Sequence, residues 1–214
     1  RKNRIKGEIF KVGDHLKAVV KAVKIDKSLG LIIEISRTSP KFLEALIALE
    51  VPEVKDNRIT IEASARIPGS RAKIALSTIE PNIDPIGSVV GVKGVRISSI
   101  SKELNGESID CVEYSTVPEM FLSRALSPAI ISSVVIEKSA IPGKNSKAVV
   151  TIPSDQKSKA IGRVGLNIRL ASMLTKTDIE LKEIESTNTL SGFANDGEHN
   201  KKSSSPVDLE ALFK

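Results

Sequence analysis

The chain has 214 residues, 40% of them hydrophobic and 27% charged, the balance of a folded globular protein with room for two or three small domains. Lys and Arg outnumber Asp and Glu by 32 to 26, and the resulting formal charge of +6 favours a polyanionic partner. A single cysteine, Cys111, excludes an internal disulfide framework and a cysteine-cluster zinc site and fits a reducing, cytoplasmic compartment, while no run reaches the roughly 18 apolar residues of a membrane helix.

The sequence opens at Arg1 and not at a methionine, so it reads as a piece of a longer protein. His15–Val23 and Leu29–Ile35 have strand character around the polar turn Lys24–Ser28 and predict a β-hairpin. Two strands bury too little for independent stability, so this hairpin either packs on the segments C-terminal to it or is the remainder of a larger β-domain. From Ser39 to Val51, Phe42, Leu43, Leu46, Ile47 and Leu49 recur near helical spacing, with Ser39 as N-cap and Pro40 at the first helical position. Strands come next at Arg58–Ala65 and Lys73–Ser77 around a basic Pro-Gly turn, then a short segment at Pro85–Val90 and the tetrad Gly91-Val92-Lys93-Gly94. A helix with Ile97, Ile100 and Leu104 on one face leads to a strand at Ser108–Glu113.

The same order then returns. A helix at Pro118–Leu126 precedes strands at Ile130–Glu137 and Lys147–Ile152. A helix at Ser154–Ala160 meets Gly162-Arg163-Val164-Gly165, followed by a helix to about Leu174 and a strand at Asp178–Ile184. Both units read α-β-β-α-α-β, and with Gly91 set against Gly162, Ile97 aligns with Ile168. Beyond Glu185 the composition turns to Ser, Thr, Asn, Gly and Lys, too polar to offset chain entropy, and residues 186–214 read as a flexible tail.

One Gly-x-x-Gly means little in a chain with 13 glycines, but two in register within matching elements point to a shared task. Without β-carbons the turn between two helices tightens and a nucleic-acid backbone can come close. The amides opening the next helix face the same place, and Lys93 or Arg163 at the tetrad centre adds a full charge. This is the arrangement of a KH domain, which clamps about four nucleotides and lays their bases into a groove. The structural alternative is a helix-turn-helix packing loop that needs glycine for sterics alone. Candidate groove walls are Val95, Ile97 and Ile100 in the first unit and Leu166, Ile168 and Ala171 in the second, some of which must face the core instead. Arg66, Arg71 and Lys73 flank a strand turn with clustered positive charge and are further RNA-binding candidates. Aromatic residues make up only 3% of the chain, which argues against a stacking sheet of the RRM kind.

Catalytic chemistry has no foothold. His15 and His199 lack a nucleophile or ligand partner nearby in sequence, Cys111 falls in a strand as a small buried thiol, and the glycine spacing is not that of a phosphate loop. The reading is a non-enzyme with no metal and no cofactor.

Longer segments carry a family resemblance: Val51-Pro52-Glu53, Ala65-Arg66-Ile67-Pro68-Gly69-Ser70-Arg71-Ala72-Lys73, Asp84-Pro85 with Gly87, Glu103-Leu104-Asn105-Gly106-Glu107, and Ala125-Leu126-Ser127-Pro128-Ala129. Over about residues 10–185 the chain resembles the NusA family of bacterial transcription factors. The second tetrad is similar to that family's Gly-Lys-x-Gly-Gln-Asn-x-Arg-Leu-Ala pattern through Gly162, Gly165, Asn167, Arg169, Leu170 and Ala171, with Arg163 for the usual lysine and Leu166 for the glutamine. In the first, Val92 stands where proline is frequent.

The resemblance implies an α+β fold of two tandem prokaryotic-type (type II) KH domains, 39–116 and 117–185, preceded by residues 1–38 as the end of an OB-fold barrel. It implies an RNA-binding set of Gly91, Val92, Lys93, Gly94, Arg96, Gly162, Arg163, Val164, Gly165, Asn167 and Arg169 together with Arg66, Arg71 and Lys73. The implied partners of this bacterial, cytoplasmic monomer are single-stranded nascent RNA, RNA polymerase mainly through a domain missing from this chain, and other Nus-type factors. Two other readings stand beside it: a KH module of an RNA-processing enzyme assembly, and a KH-fold protein-interaction scaffold.

Overall fold

The computed structural model describes residues 2–137 and 145–184. Residues 186–214, read from sequence as a flexible tail, lie outside the described residues. The first sheet is an antiparallel hairpin of β1 (Val19–Asp26) and β2 (Gly30–Ser36). Its turn is closed by Asp26, whose Oδ1 accepts from the amides of Ser28 and Leu29 at 2.8 and 2.9 Å. The first strand thus starts at Val19, not His15. The residues before it instead wrap onto the next unit.

That unit begins with α1 (Pro40–Glu50), which Ser39 caps by accepting from the Lys41 amide at 3.3 Å, with Pro40 in the first turn. A single turn, α2 (Pro52–Lys55), leads to β3 (Ile59–Ile67) and β4 (Arg71–Thr78). Next come α3 (Pro85–Val90), capped by Asp84, then α4 (Val95–Glu103) and β5 (Ser108–Glu113). The second unit contains α5 (Pro118–Ala125), β6 (Ser133–Glu137), β7 (Ser146–Pro153), α6 (Lys157–Ile161), α7 (Leu166–Thr175) and β8 (Thr177–Ile184). Each has a three-stranded sheet in which the middle strand pairs antiparallel with the one before it and parallel with the last. The repeat legible in sequence is therefore a repeat of topology.

Strand β4 explains how the units join. Its successive residues Ala72, Lys73, Ile74, Ala75 and Leu76 are all buried, although side chains on a strand alternate between faces. Ala72, Ile74 and Leu76 pack with Phe42, Leu43, Leu46 and Ile47 of α1 and with Val89, Ile100 and Leu104. Ala75, with Ala65 of β3 and Val112 of β5, belongs to a second core formed mainly by α5, α7 and the second sheet. Small alanines on this outer face let the helices of the second unit approach closely. The two units consequently share one hydrophobic core across their boundary.

The N-terminal segment is tied down by similar means. Ile5 is fully buried in the first unit's core, and a β-carbon on Gly69 would lie 2.9 Å from its Cγ2. Buried Arg37 pairs with Glu8 at 2.7 Å and Glu103 at 2.9 Å, and donates to the carbonyls of Glu103 and Lys17. The segments that flank the hairpin are thus packed on the unit C-terminal to it. The hairpin still leaves Val20, Val23, Ile25, Leu31 and Ile33 exposed.

Candidate nucleic-acid interface

The two glycine tetrads have nearly the same backbone. Gly91 and Gly162 sit at φ 75° and 72° with extended ψ, and Gly94 and Gly165 at φ 75° and 70° in the left-handed region. Between them runs a single 3₁₀ turn, closed by Gly94 N–H to Gly91 O at 3.0 Å and by Gly165 N–H to Gly162 O at 3.2 Å. In each unit the third residue also has positive φ: Lys93 at 52° and Val164 at 53°. For a β-branched valine this is strained backbone, held at a tip where Val164 is 91% exposed.

The helices after the tetrads, α4 and α7, carry no side-chain cap; the amides of their first residues, Val95 and Leu166, close the turn on Val92 O and Arg163 O, so an outside acceptor has only the amides that follow them. Val92, Lys93, Arg163 and Val164 are all exposed. The charges, however, are not equivalent. Lys93 occupies the third tetrad position and Arg163 the second, so the two clamps present their cation one residue apart. Arg169, one turn into α7, is exposed as well.

Two other candidates act behind the tetrads. Arg96 donates to Ser88 O at 2.7 Å and to Glu53 at 3.2 Å, so its guanidinium is already engaged by the end of α3 and by α2. Its counterpart Asn167 is 3% exposed, and its Nδ2 donates to the carbonyls of Leu126, Lys159 and Ala160 at 3.0–3.1 Å. Both tie the helix before the tetrad to the helix after it. They also explain the first glycine, because a β-carbon on Gly91 would meet Arg96 Cγ at 2.9 Å and one on Gly162 would meet Asn167 Cβ at 2.7 Å. Asn167 thus lies buried behind its tetrad, whereas the Arg96 side chain stays 34% exposed with both of its bonds on one guanidinium nitrogen.

The basic strand turn needs a larger correction. The Arg66 and Glu107 side chains are 0% exposed and paired at 2.7 Å. Arg66 also donates to the carbonyls of Arg37 and Ser39, and Glu107 accepts from the Gly69 amide at 2.9 Å. This is a buried brace around the start of α1, inaccessible to RNA. Lys73, also fully buried, donates to Ser127 O of the second unit at 3.1 Å and lies 3.3 Å from Asp110.

Arg71 is part-exposed and donates twice, at 2.8 Å each, to Asp110, a carboxylate that it shares with Lys73. Burial lowers the Lys73 pKa, and Asp110 only partly offsets this. Burial opposes ionisation of Asp110 too, yet Arg71 and Lys73 together hold it below the usual carboxylate range. Clustered charge in the sequence here marks a domain joint. Burial pushes the Cys111 thiol beside it up to about 12, which makes it a poor nucleophile.

The proposed groove walls divide. Ile100 and Ala171 face the cores, Val95 is exposed, and Ile97, Leu166 and Ile168 are half-buried. Sequence reasoning did not find Arg37 and Glu107, because their partners lie far along the chain. It also passed over Lys17 and Lys102, which stand beside Lys93 around one cleft.

Residues 37–114 match the NusA-like first KH domain, and residues 118–189 match the NusA-like second KH domain. The chain belongs to the NusA family. A protein of Helicobacter pylori named "Transcription termination/antitermination protein NusA" is 49% identical over all of this chain and 58% of its own length. The protein of that name from Thermus thermophilus is 41% identical over 86% of this chain and 46% of its own. One from Rickettsia conorii is 42% identical over 83% of this chain and 35% of its own. The chain thus spans little more than half the length of these relatives at most.

Proposed function

We propose that this chain is the RNA-holding region of a bacterial transcription termination and antitermination factor, with its two KH domains clamping nascent single-stranded RNA. The observation that carries this reading is the pair of tetrads with nearly superposable dihedral angles, each exposed, each with its own cation and each opening onto an uncapped helix. Backbone amides and glycines of this kind hold phosphates without reading bases. Gly91, Val92, Lys93, Gly94 and Gly162, Arg163, Val164, Gly165 with Arg169 form the contact set. Arg96 and Asn167 hold that set in shape.

Two clamps joined through a shared core make the second contact intramolecular, which raises avidity for RNA long enough to reach both. On this reading residues 1–38 close an OB-fold barrel, and RNA polymerase is held mainly by a part of the relatives' length that this chain does not span. The factor acts as a cytoplasmic monomer alongside other Nus-type factors and catalyses no reaction of its own.

The test is binding of short single-stranded RNAs across a salt series, with a variant carrying V92D, K93D, R163D and V164D beside the native chain. The expected result is salt-weakened binding, with a slope near 0.7 log unit for each phosphate held, that the variant loses. Equal weak binding by both proteins would favour a protein-interaction scaffold.

A further inference from the structure

A cavity of about 560 Å³ lies beside the first tetrad, between the N-terminal segment and helices α1 and α4. Val95, Ser98, Ser99 and Lys102 line it from one face of α4, as their helical spacing requires, while Leu46 and Ile100 contribute to its floor. Lys17 closes it from the N-terminal segment and Lys93 from the tetrad. All three lysines are exposed.

Two carboxylates also line the cavity. Glu103 is already paired with Arg37 at 2.9 Å, and Glu50 accepts from the Ser99 hydroxyl at 3.3 Å. Three lysines therefore line the cleft beside one carboxylate, Glu50, that has no cationic partner among the described residues. The site is also built in advance, because the guanidinium that binds Glu103 and Glu8 donates to the backbone carbonyl of Lys17 and fixes where that lysine leaves the chain.

We propose that this cleft seats a further nucleotide of the RNA held by the first tetrad, its base against Val95 and its phosphate between Lys17 and Lys102. The inference rests on the clamp reading above and extends the footprint of the first domain past the roughly four nucleotides that a tetrad holds. Lys93 belongs to both sites, so the strand passes from one to the other without a gap. A cavity of this size falls within the range of small-ligand sites and admits one nucleotide.

The experiment uses the whole chain carrying R163D and V164D, so that only the first tetrad binds, with single-stranded RNAs of four and six nucleotides over a salt series. The six-mer should bind several-fold tighter than the four-mer. Adding K17Q and K102Q should erase that gain, lower the six-mer salt slope by about 0.7 for each phosphate released, and leave the four-mer unchanged. The cleft is not a subsite if K17Q/K102Q leaves the six-mer unchanged while V92D/K93D abolishes binding. Equal weakening of both RNAs by K17Q/K102Q overturns it too, as general electrostatics. If V92D/K93D changes nothing, the clamp reading fails and takes the cleft with it. Circular dichroism confirms that the variants are folded.

Discussion

Lys73 of the first KH domain donates to the carbonyl of Ser127 in the second at 3.1 Å, with its side chain wholly buried at the boundary. An ammonium there gains from Ser127 O and Asp110 but bears the full cost of leaving water. Replacing it by methionine keeps most of the volume and leaves Ser127 O and Asp110 without that partner. K73M should lower stability in urea unfolding by about 1–3 kcal/mol. Binding of a four-nucleotide RNA should survive, while the avidity gain for RNA that spans both tetrads falls. A direct RNA contact would instead weaken both RNAs alike.

Arg66 gives a sharper contrast. Both it and Glu107 are fully buried, and removing one partner strands the other charge away from water. R66A should cost about 3–5 kcal/mol in denaturant unfolding. Where the variant remains folded, the salt slope of RNA binding should match that of the native chain. A slope reduced with stability intact would return Arg66 to the RNA surface.

How far the sequence discloses this molecule depends on the range of the interactions concerned. The two α-β-β-α-α-β units and the tetrads are legible because periodicity, the Ser39 cap and turn glycines act over a few residues. Strand β5 occupies Ser108–Glu113, the span its local pattern predicts, for that reason. Arg66, Arg71 and Lys73 mislead because a charge cluster on a strand looks the same whether it faces water or a second domain. What distinguishes them is Glu107, Asp110 and Ser127, far along the chain. The burial of Ile5 is equally illegible, since a lone isoleucine among Lys, Arg and Gly has no periodic context.

The joint should also respond to acid. Asp110 has a depressed folded pKa, so it stabilises the fold fully above its unfolded value near 3.8 and loses that contribution as pH falls through the lower folded value. Urea unfolding measured from about pH 6 down to about pH 2.5 should show this decline. D110N should be less stable than the native chain at neutral pH, because buried Lys73 then lacks its counter-charge, and its decline with acid should be shallower. A native-like acid slope in D110N would assign the sensitivity to other carboxylates.

The first glycines of the two tetrads should differ in tolerance although their backbones agree. Both combine positive φ with extended ψ, a region essentially confined to glycine, so alanine is strained at either position by about 1–3 kcal/mol. At Gly91 the added methyl meets Cγ of Arg96 at 2.9 Å and its Cβ at 3.1 Å, and the partly exposed stem can rotate away at the expense of its bonds to Ser88 and Glu53. At Gly162 it meets Cβ of Asn167 at 2.7 Å and its backbone nitrogen at 3.1 Å, with Asn167 locked by three carbonyls. G162A should therefore be the more destabilising in thermal or urea unfolding. Equal losses would show that Asn167 yields as readily as Arg96.

Val164 tests whether strain is stored at the clamp. It is 91% exposed and holds φ 53°, so it gains almost nothing from packing while its branched side chain opposes the backbone. Asparagine tolerates the left-handed region far better. V164N should stabilise the chain by about 1 kcal/mol, read as a higher urea midpoint with an unchanged slope. RNA binding by the second tetrad should persist, since Arg163 and the tetrad amides remain in place. A drop in stability would mean that Val164 makes apolar contacts that outweigh its strained backbone.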